Sequence, residues 1–506
     1  MTMTHPGLPW QWGLVLLLLI CLLGVWAVIA PMSQPGNGYR WKLLALPVAG
    51  PLLRFFTVRP WPLWILRIGM VSLFLLVIVA GLFGTPIPER NFATMLTWNL
   101  WWTGLIISVF FLGSAWCAVC PWDALAGWLV HWRGWRRTQP AGSLNLRVPA
   151  GLRNVLPALL LFIGLTWLEL GFGITTSPYL TAQLALLMII LATLSLAIFE
   201  RKAFCHYFCP VGRTVGFYSQ LAPVELRPVD PDLCARCTTL ECYHGTNTVE
   251  PCPTHLVMGN LRQNTYCTSC ANCSQACPDQ NIAWQLRPPS QEAIQDARPH
   301  WDEAWFMICL LALTLFHGVS MLPFFENWVS MLARVVGAPG QLLSSFSLLL
   351  LLSLLIPVLI YLIFIWLTRW LIGSVLAYKR FFTGFAFVAL PLAFAYHLAH
   401  NLNHLVRESV GFGTLLSNPL GMATQPLSML EKHHRYLQIL IPEDVLFGMQ
   451  AGLLLFGFWI SLKVIRHRGH SIVPAAGWRL FPMIVFAAGF TGFQLWLLMQ
   501  PMMMRM

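Results

Sequence analysis

Apolar runs of membrane-spanning length recur along this chain and constrain its fold more than any other feature. In hydrocarbon every backbone N–H and C=O must be paired within the spanning structure, which leaves α-helices for uncharged runs of about 20 residues. Such runs lie at about Trp10–Ala30, Trp61–Phe83, Leu96–Trp116, Val155–Gly173 and Leu180–Phe199. They resume at about Ala304–Phe324, Leu343–Trp366, Thr383–His404, Val445–Ile465 and Trp478–Gln500. The expected fold is a polytopic α-helical membrane protein of about ten spans. A chain that is 57% hydrophobic and only 10% charged lacks the polar surface that a water-soluble core of this size needs. The first run has no basic residues before it and no small-residue cleavage pattern after it, so it reads as a retained span. Leu43–Phe56 reads as re-entrant or interfacial because Arg54 interrupts it.

The net charge of +12 could signal a polyanion partner, but the cations sit in short loops between apolar runs. Arg40, Lys42, Arg54 and Arg59 form one group, and Arg133, Arg136, Arg137, Arg147 and Arg153 another. Arg369, Lys379 and Arg380, then Lys463, Arg466, Arg468 and Arg479, complete the series. This is the positive-inside pattern, so the charge reads as orientation in a bacterial inner membrane, and no nucleic-acid partner is expected. Both termini are then expected outside. Trp98, Trp101 and Trp102 read as interfacial anchors, and Trp122, Trp128, Trp132 and Trp135 as an amphipathic segment at the headgroups.

Hydropathy collapses between the fifth and sixth runs, dividing the chain into membrane regions 1–209 and 303–506 around a polar insert, 210–302. Twelve of the fourteen cysteines fall between Cys117 and Cys277, and eight of them occupy 44 residues of the insert. Close spacing with Pro after the last cysteine suits metal clusters rather than long-range disulfides, and iron–sulfur thiolates favour the cytoplasm.

Cys267-x2-Cys270-x2-Cys273-x3-Cys277-Pro278 matches the bacterial ferredoxin run, in which three cysteines hold one [4Fe–4S] cube and the fourth serves its neighbour. The upstream run, Cys234-x2-Cys237-x4-Cys242-x9-Cys252-Pro253, keeps that order with longer insertions. One cluster is therefore expected on Cys234, Cys237, Cys242 and Cys277, and the other on Cys267, Cys270, Cys273 and Cys252. A zinc ribbon would use two Cys-x-x-Cys pairs and leave the triplet unexplained. Cys117-x2-Cys120-Pro121 and Cys205-x3-Cys209-Pro210 end the third and fifth runs on one side. They read either as a third cluster or metal site, or as packing and redox thiols beneath the insert.

These two membrane-end Cys-Pro motifs, the string A-F-C-H-Y-F-C-P-V-G-R at Ala203–Arg213 and the double ferredoxin run together resemble the NapH/NosR/FixG-type membrane polyferredoxins over about Trp61–Gln285. The resemblance implies membrane-bound electron transfer that links a quinone pool to periplasmic reductases or to metal handling in oxidoreductase maturation. The first Cys-Pro motif has two intervening residues where that family usually has three, and the five later runs exceed the short NapH-type plan.

Four histidines lie in the C-terminal spans. His397, His400 and His404, at i, i+3 and i+7, are expected on one face toward the outer leaflet, with His317 at similar depth. Haem b, a quinone, copper aided by Met321, Met422, Met429 and Met502–Met504, and plain interfacial packing all remain open there. His433 and His434 read as a solvated face. Glu169 reads equally as a structural residue and as a proton carrier. No phosphate loop, nucleophile elbow or HExxH is present. The expected function is an iron–sulfur relay between a quinone pool or cytoplasmic donor and a membrane or periplasmic acceptor, a role open to the quinol-oxidising or electron-relay subunit of an oxidoreductase. Copper transport or maturation with the clusters as reductant is the alternative.

Overall fold

The computed structural model describes residues 4–31, 39–131, 143–373, 375–474 and 476–503. In chain order its principal helices are α1 (Trp10–Ile29), α2 (Trp61–Phe83), α3 (Phe92–Leu112), α4 (Pro121–His131), α5 (Leu156–Gly171), α6 (Pro178–Ile198) and α7 (Pro210–Tyr218). They continue as α8 (Trp301–Ser320), α9 (Leu342–Ile372), α10 (Tyr378–Glu408), α11 (Glu443–Ile472) and α12 (Gly477–Met499). Five short strands accompany them: β1 (Thr4–His5), β2 (Trp41–Lys42), β3 (Val224–Pro228), β4 (Ile282–Leu286) and β5 (Met502–Met503).

Among the described residues nine helices are long and apolar enough to cross a membrane, all of these except α4, α5 and α7. Nine, rather than the ten expected, is compatible with a multi-pass membrane protein. The difference is α5, whose 16 residues rise about 24 Å against roughly 30 Å of hydrocarbon. Pro157 starts this helix and Gly173, at φ +63°, turns the chain just beyond it. Even so, α5 runs from Asp302, whose carboxylate accepts the Val155 N–H at 3.1 Å, to Phe346 in the first turns of α9, which packs on Gly171.

Leucines of α1 such as Leu14, Leu18 and Leu22 are exposed on the bundle's outside, whereas α10 is buried along its length. A helix that is apolar on its exposed face suits lipid. Packing around α10 uses small residues: a Cβ on Gly457 of α11 would lie 2.5 Å from Ala395.

The bundle has two distinct ends. At one, β1 pairs antiparallel with β5, Met503 N–H donates to Met321 O beyond α8, and Arg407 pairs with Glu443 at 2.8 Å. Both described ends of the chain therefore meet where α10 finishes and α11 begins. At the other end Arg468, in the last turns of α11, donates to the carbonyls of Glu292, Ala293 and Ala297. The cysteine-bearing segment thus caps the bundle opposite β1 and β5.

That cap is held by a small sheet in the order β2-β4-β3 and by a buried ion network. Glu225 on β3, with no side-chain exposure, meets Arg40 at 2.9 Å, Arg227 at 3.1 Å and Arg287 at 3.0 Å. Glu292 takes a second contact from Arg227, at 3.1 Å, and one from Arg287. α7 joins cap to bundle so closely that a Cβ on Gly216 would stand 2.0 Å from Thr265 O. Here glycine is required by approach.

The tryptophans depart from expectation. Trp98 and Trp122 are buried, and Trp101 packs tilted or edge-on among Trp102, Trp116 and Trp122 with centroids 5.5–5.9 Å apart. A π-helical stretch, Met95–Trp101, widens α3 locally, and these rings line an interior cleft instead of the lipid interface. Trp132, Trp135, Arg133, Arg136 and Arg137, like Met504, lie outside the described residues.

Candidate metal centres

The cysteine runs of the cap are built from single helical turns separated by left-handed residues. Asp230 caps Pro231–Arg236 by accepting from the N–H groups of Asp232 and Leu233, which fixes Cys234 on a preformed turn. Ala271, at φ +62°, starts Asn272–Ala276, which carries Cys273 and delivers Cys277 at its end. Nine described non-glycine residues have positive φ, and five of them, Leu240, His255, Ser269, Ala271 and Gln280, lie within or beside these runs. Backbone strain of this sort is held where amides must face a bound group.

The amides do face sulfur. Leu256 N–H donates to Cys252 Sγ at 3.3 Å, Ser269 N–H to Cys267 Sγ at 3.4 Å, and the Asn281 amide to Cys234 Sγ at 3.4 Å. At Cys237 the Leu240 amide, then the Thr239 hydroxyl and amide, hold the thiol below its ordinary range. Burial works in the opposite direction at Cys267, pushing its thiol up to about 12. Thiolates in that environment need a cation, and a cluster iron would supply it.

The structure brings these cysteines together in two sets. Cys234, Cys237, Cys242 and Cys277 line one hollow with Gly259 and Asn281. Cys267, Cys270, Cys273 and Cys252 lie within electrostatic reach of one another in a second, more deeply buried group, and Cys273 also feels Cys242. Cys277 and Cys252 therefore each stand with the other run.

Beneath the second set, toward the bundle, lie the membrane-end cysteines. Cys117, Cys120, Cys205 and Cys209 interact with one another around Asp123, which pairs with Lys202 at 2.5 Å and approaches Cys205 Sγ at 3.9 Å. Gly212 N–H donates to Cys209 Sγ at 3.2 Å. The two levels touch directly. Ser114 and Ser269 share a 2.9 Å hydrogen bond, and Arg201 donates to Cys252 O at 2.8 Å. Sequence reasoning missed Asp123 and Lys202; an acid three residues after Cys120 and a lysine three before Cys205 are weak signals alone.

The histidines lie within about 60° of one another around α10 but meet different partners. His397 accepts from Trp102 Nε1 at 3.1 Å and meets Tyr218 OH of α7 at 3.1 Å, so it turns toward the cysteine end rather than away from it. His400 and His404 lie further along the helix, with ring centroids 5.0 Å apart, and His317 lies 5.2 Å from His400. The cause is position along the axis: at about 100° and 1.5 Å per residue His397 and His404 differ by only about 20° in phase but by about 10.5 Å in height, so they meet different neighbours on a helix packed on all sides. His5 and Glu408 complete that second group and were not singled out from sequence. His433 and His434 are exposed. Glu169 lines the tryptophan cleft with Trp98, Trp101, Trp116 and Trp122.

Comparison with known proteins bears on these centres. Residues 94–139 and 181–221 match the family described as a 4Fe–4S binding domain. Those segments contain Cys117, Cys120, Cys205 and Cys209 and end before Cys234. The chain is 26% identical over 148 residues to YccM of Escherichia coli (strain K12), a protein named for electron transport. That match covers 29% of this chain and 38% of YccM, so the chain spans well under half of that relative. No solved structure matches. A match to a 4Fe–4S binding domain among apolar helices, with similarity to an electron transport protein, supports iron–sulfur electron transfer.

Proposed function

We propose that the chain is an inner-membrane electron conduit of the polyferredoxin type, with regions 1–209 and 303–506 in the bilayer and 210–302 in the cytoplasm. In this reading Cys234, Cys237, Cys242 and Cys277 hold one [4Fe–4S] cluster, and Cys267, Cys270, Cys273 and Cys252 the next. Cys117, Cys120, Cys205 and Cys209 hold a third centre at the bundle. The observation that carries the reading is the descent of three cysteine quartets from the cap into the bundle, with the last touching the helices. Clusters bound there would supply one-electron steps, while the protein sets their potentials through burial and N–H···S bonds.

The tryptophan cleft supports a quinone as the membrane partner. It holds about 110 Å³ of free space between α2, α3, α5 and α6, is lined mainly by aromatic and aliphatic side chains, and offers Glu169 and Thr181 as polar groups. Pro121 and Trp122, next to Cys120, form part of its wall. A quinone ring there would lie beside the lowest cysteine quartet, and Glu169 is placed to take or give its proton.

Anaerobically purified protein should contain roughly twelve iron and as many acid-labile sulfides per chain for three clusters. Menaquinol or ubiquinol analogues should reduce them, and Glu169→Gln together with Trp101→Ala should slow that step without changing iron content. Protein carrying zinc and no iron would overturn the proposal.

A further inference from the structure

The cysteines occupy one end of the molecule, and a second set of metal-ligating groups lies at the other. His5, His404 and Glu408 come from two stretches some 400 residues apart, yet their ligand atoms all lie within 4.8 Å of one another. All three side chains are fully buried. His5 Nε2 stands 2.9 Å from Glu408 Oε1, and His404 Nδ1 stands 2.7 Å from the same oxygen. We propose that these three residues form a binding site for one divalent first-row transition ion, distinct from the iron–sulfur centres.

The spacing fits such an ion. With ligand bonds of about 2.1 Å, adjacent ligand atoms lie about 3.0 Å apart in an octahedron and about 3.4 Å in a tetrahedron. Both nitrogen–oxygen separations therefore need to open by only a few tenths of an ångström. On binding, the two N–H···O hydrogen bonds give way to two nitrogen–metal bonds and one oxygen–metal bond. Each neutral imidazole shifts its proton to its other ring nitrogen, so no proton is released and the carboxylate brings the site charge to +1.

The donor set selects the class of ion. Two imidazoles and one carboxylate suit ferrous iron or zinc, and without a thiolate or thioether among the three there is no soft ligand to favour cuprous copper. Three protein ligands also leave a position open for water or another small molecule, as in sites that act on a ligand.

The fold holds the groups with unusual care. His404 and Glu408 are one turn apart on α10, and Arg407 between them is turned away to Asn403 and Glu443. His5 is set by pairing of β1 with β5, by Leu8 N–H donating to Leu498 O at 2.8 Å, and by Gly7, where a Cβ would fall 2.2 Å from Met499 O. His400, with its ring 5.0 Å from that of His404, continues the imidazole row inward toward His317.

Cobalt(II) is the probe, because iron in the clusters hides ferrous binding. Added to detergent-purified, cluster-loaded full-length protein, Co²⁺ should bind at one equivalent with d–d bands and no sulfur-to-cobalt charge transfer. X-ray absorption at the cobalt edge should show nitrogen and oxygen neighbours with imidazole scattering. His5→Ala and His404→Gln should each weaken binding by at least about tenfold while leaving the cluster absorbance unchanged. Wild-type protein that binds no Co²⁺, or binds it only through sulfur, would overturn the site. So would equal affinity in either variant, and His5→Ala, in a two-residue strand, supplies that comparison if His404→Gln does not fold.

Discussion

Glu225 is the point where the cap can be loosened from the bundle by one atom. Glu225→Gln keeps the shape of a fully buried side chain but removes the negative charge facing Arg40, Arg227 and Arg287 at 2.9–3.1 Å. Losing one partner of a buried ion pair costs about 3–5 kcal/mol. The lower figure applies, since Arg227 and Arg287 keep Glu292 and Arg40 is half exposed. About 3 kcal/mol is roughly a 150-fold increase in the opening equilibrium of β3 and β4. Hydrogen exchange followed by mass spectrometry on peptides spanning 224–228 and 282–286 should show that acceleration. Burial raises the Glu225 pKa, but Arg287, Arg227 and Arg40 lower it further, so the net shift is downward. A depressed carboxylate stabilises the fold above its ordinary range and loses that contribution as pH falls through the folded value. The wild-type cap should thus open on acidification, while the variant should show a weaker dependence. Exchange within threefold of wild type at neutral pH would refute the assignment of the network as the cap's anchor.

Gly216→Ala should abolish stable expression or lower the inactivation temperature sharply, because its Cβ would stand 2.0 Å from a backbone oxygen; Gly104→Ala, with nothing within 4 Å, should be neutral in the same thermal assay. Asp123→Asn removes a carboxylate 3.9 Å from Cys205 Sγ and should raise the reduction potential of a centre on Cys117, Cys120, Cys205 and Cys209 by roughly tens of millivolts in an EPR redox titration, leaving the cap clusters unmoved. No shift in any signal would remove that centre from the relay.

Hydropathy made most of the helical plan legible because a spanning run has few alternatives in lipid. Where a helix fell short of the apolar run, as at α5, its length was decided by Pro157 and Gly173 rather than by apolarity. Cysteine spacing was equally informative for Cys234–Cys277, since ligand order along a ferredoxin run dictates which sulfurs meet. Side-chain direction was less accessible. Trp101 reads the same whether it faces lipid or a cleft, and the π-helical turn that decides this leaves no clear pattern in the sequence. The partners of His397 were hidden for a similar reason, because every face of α10 is buried and periodicity has no polar side to report. His5 was invisible as a partner of Glu408, since nothing local ties residue 5 to residue 408.

If the two cap clusters exchange their fourth ligands across the runs, EPR spin quantitation of dithionite-reduced Cys277→Ser will show it. The signal of the Cys234, Cys237 and Cys242 cluster should be lost or converted to a three-iron form, while the cluster on Cys267, Cys270, Cys273 and Cys252 should keep its spectrum and potential. Loss of the Cys267–Cys273 cluster with the other left intact would contradict it.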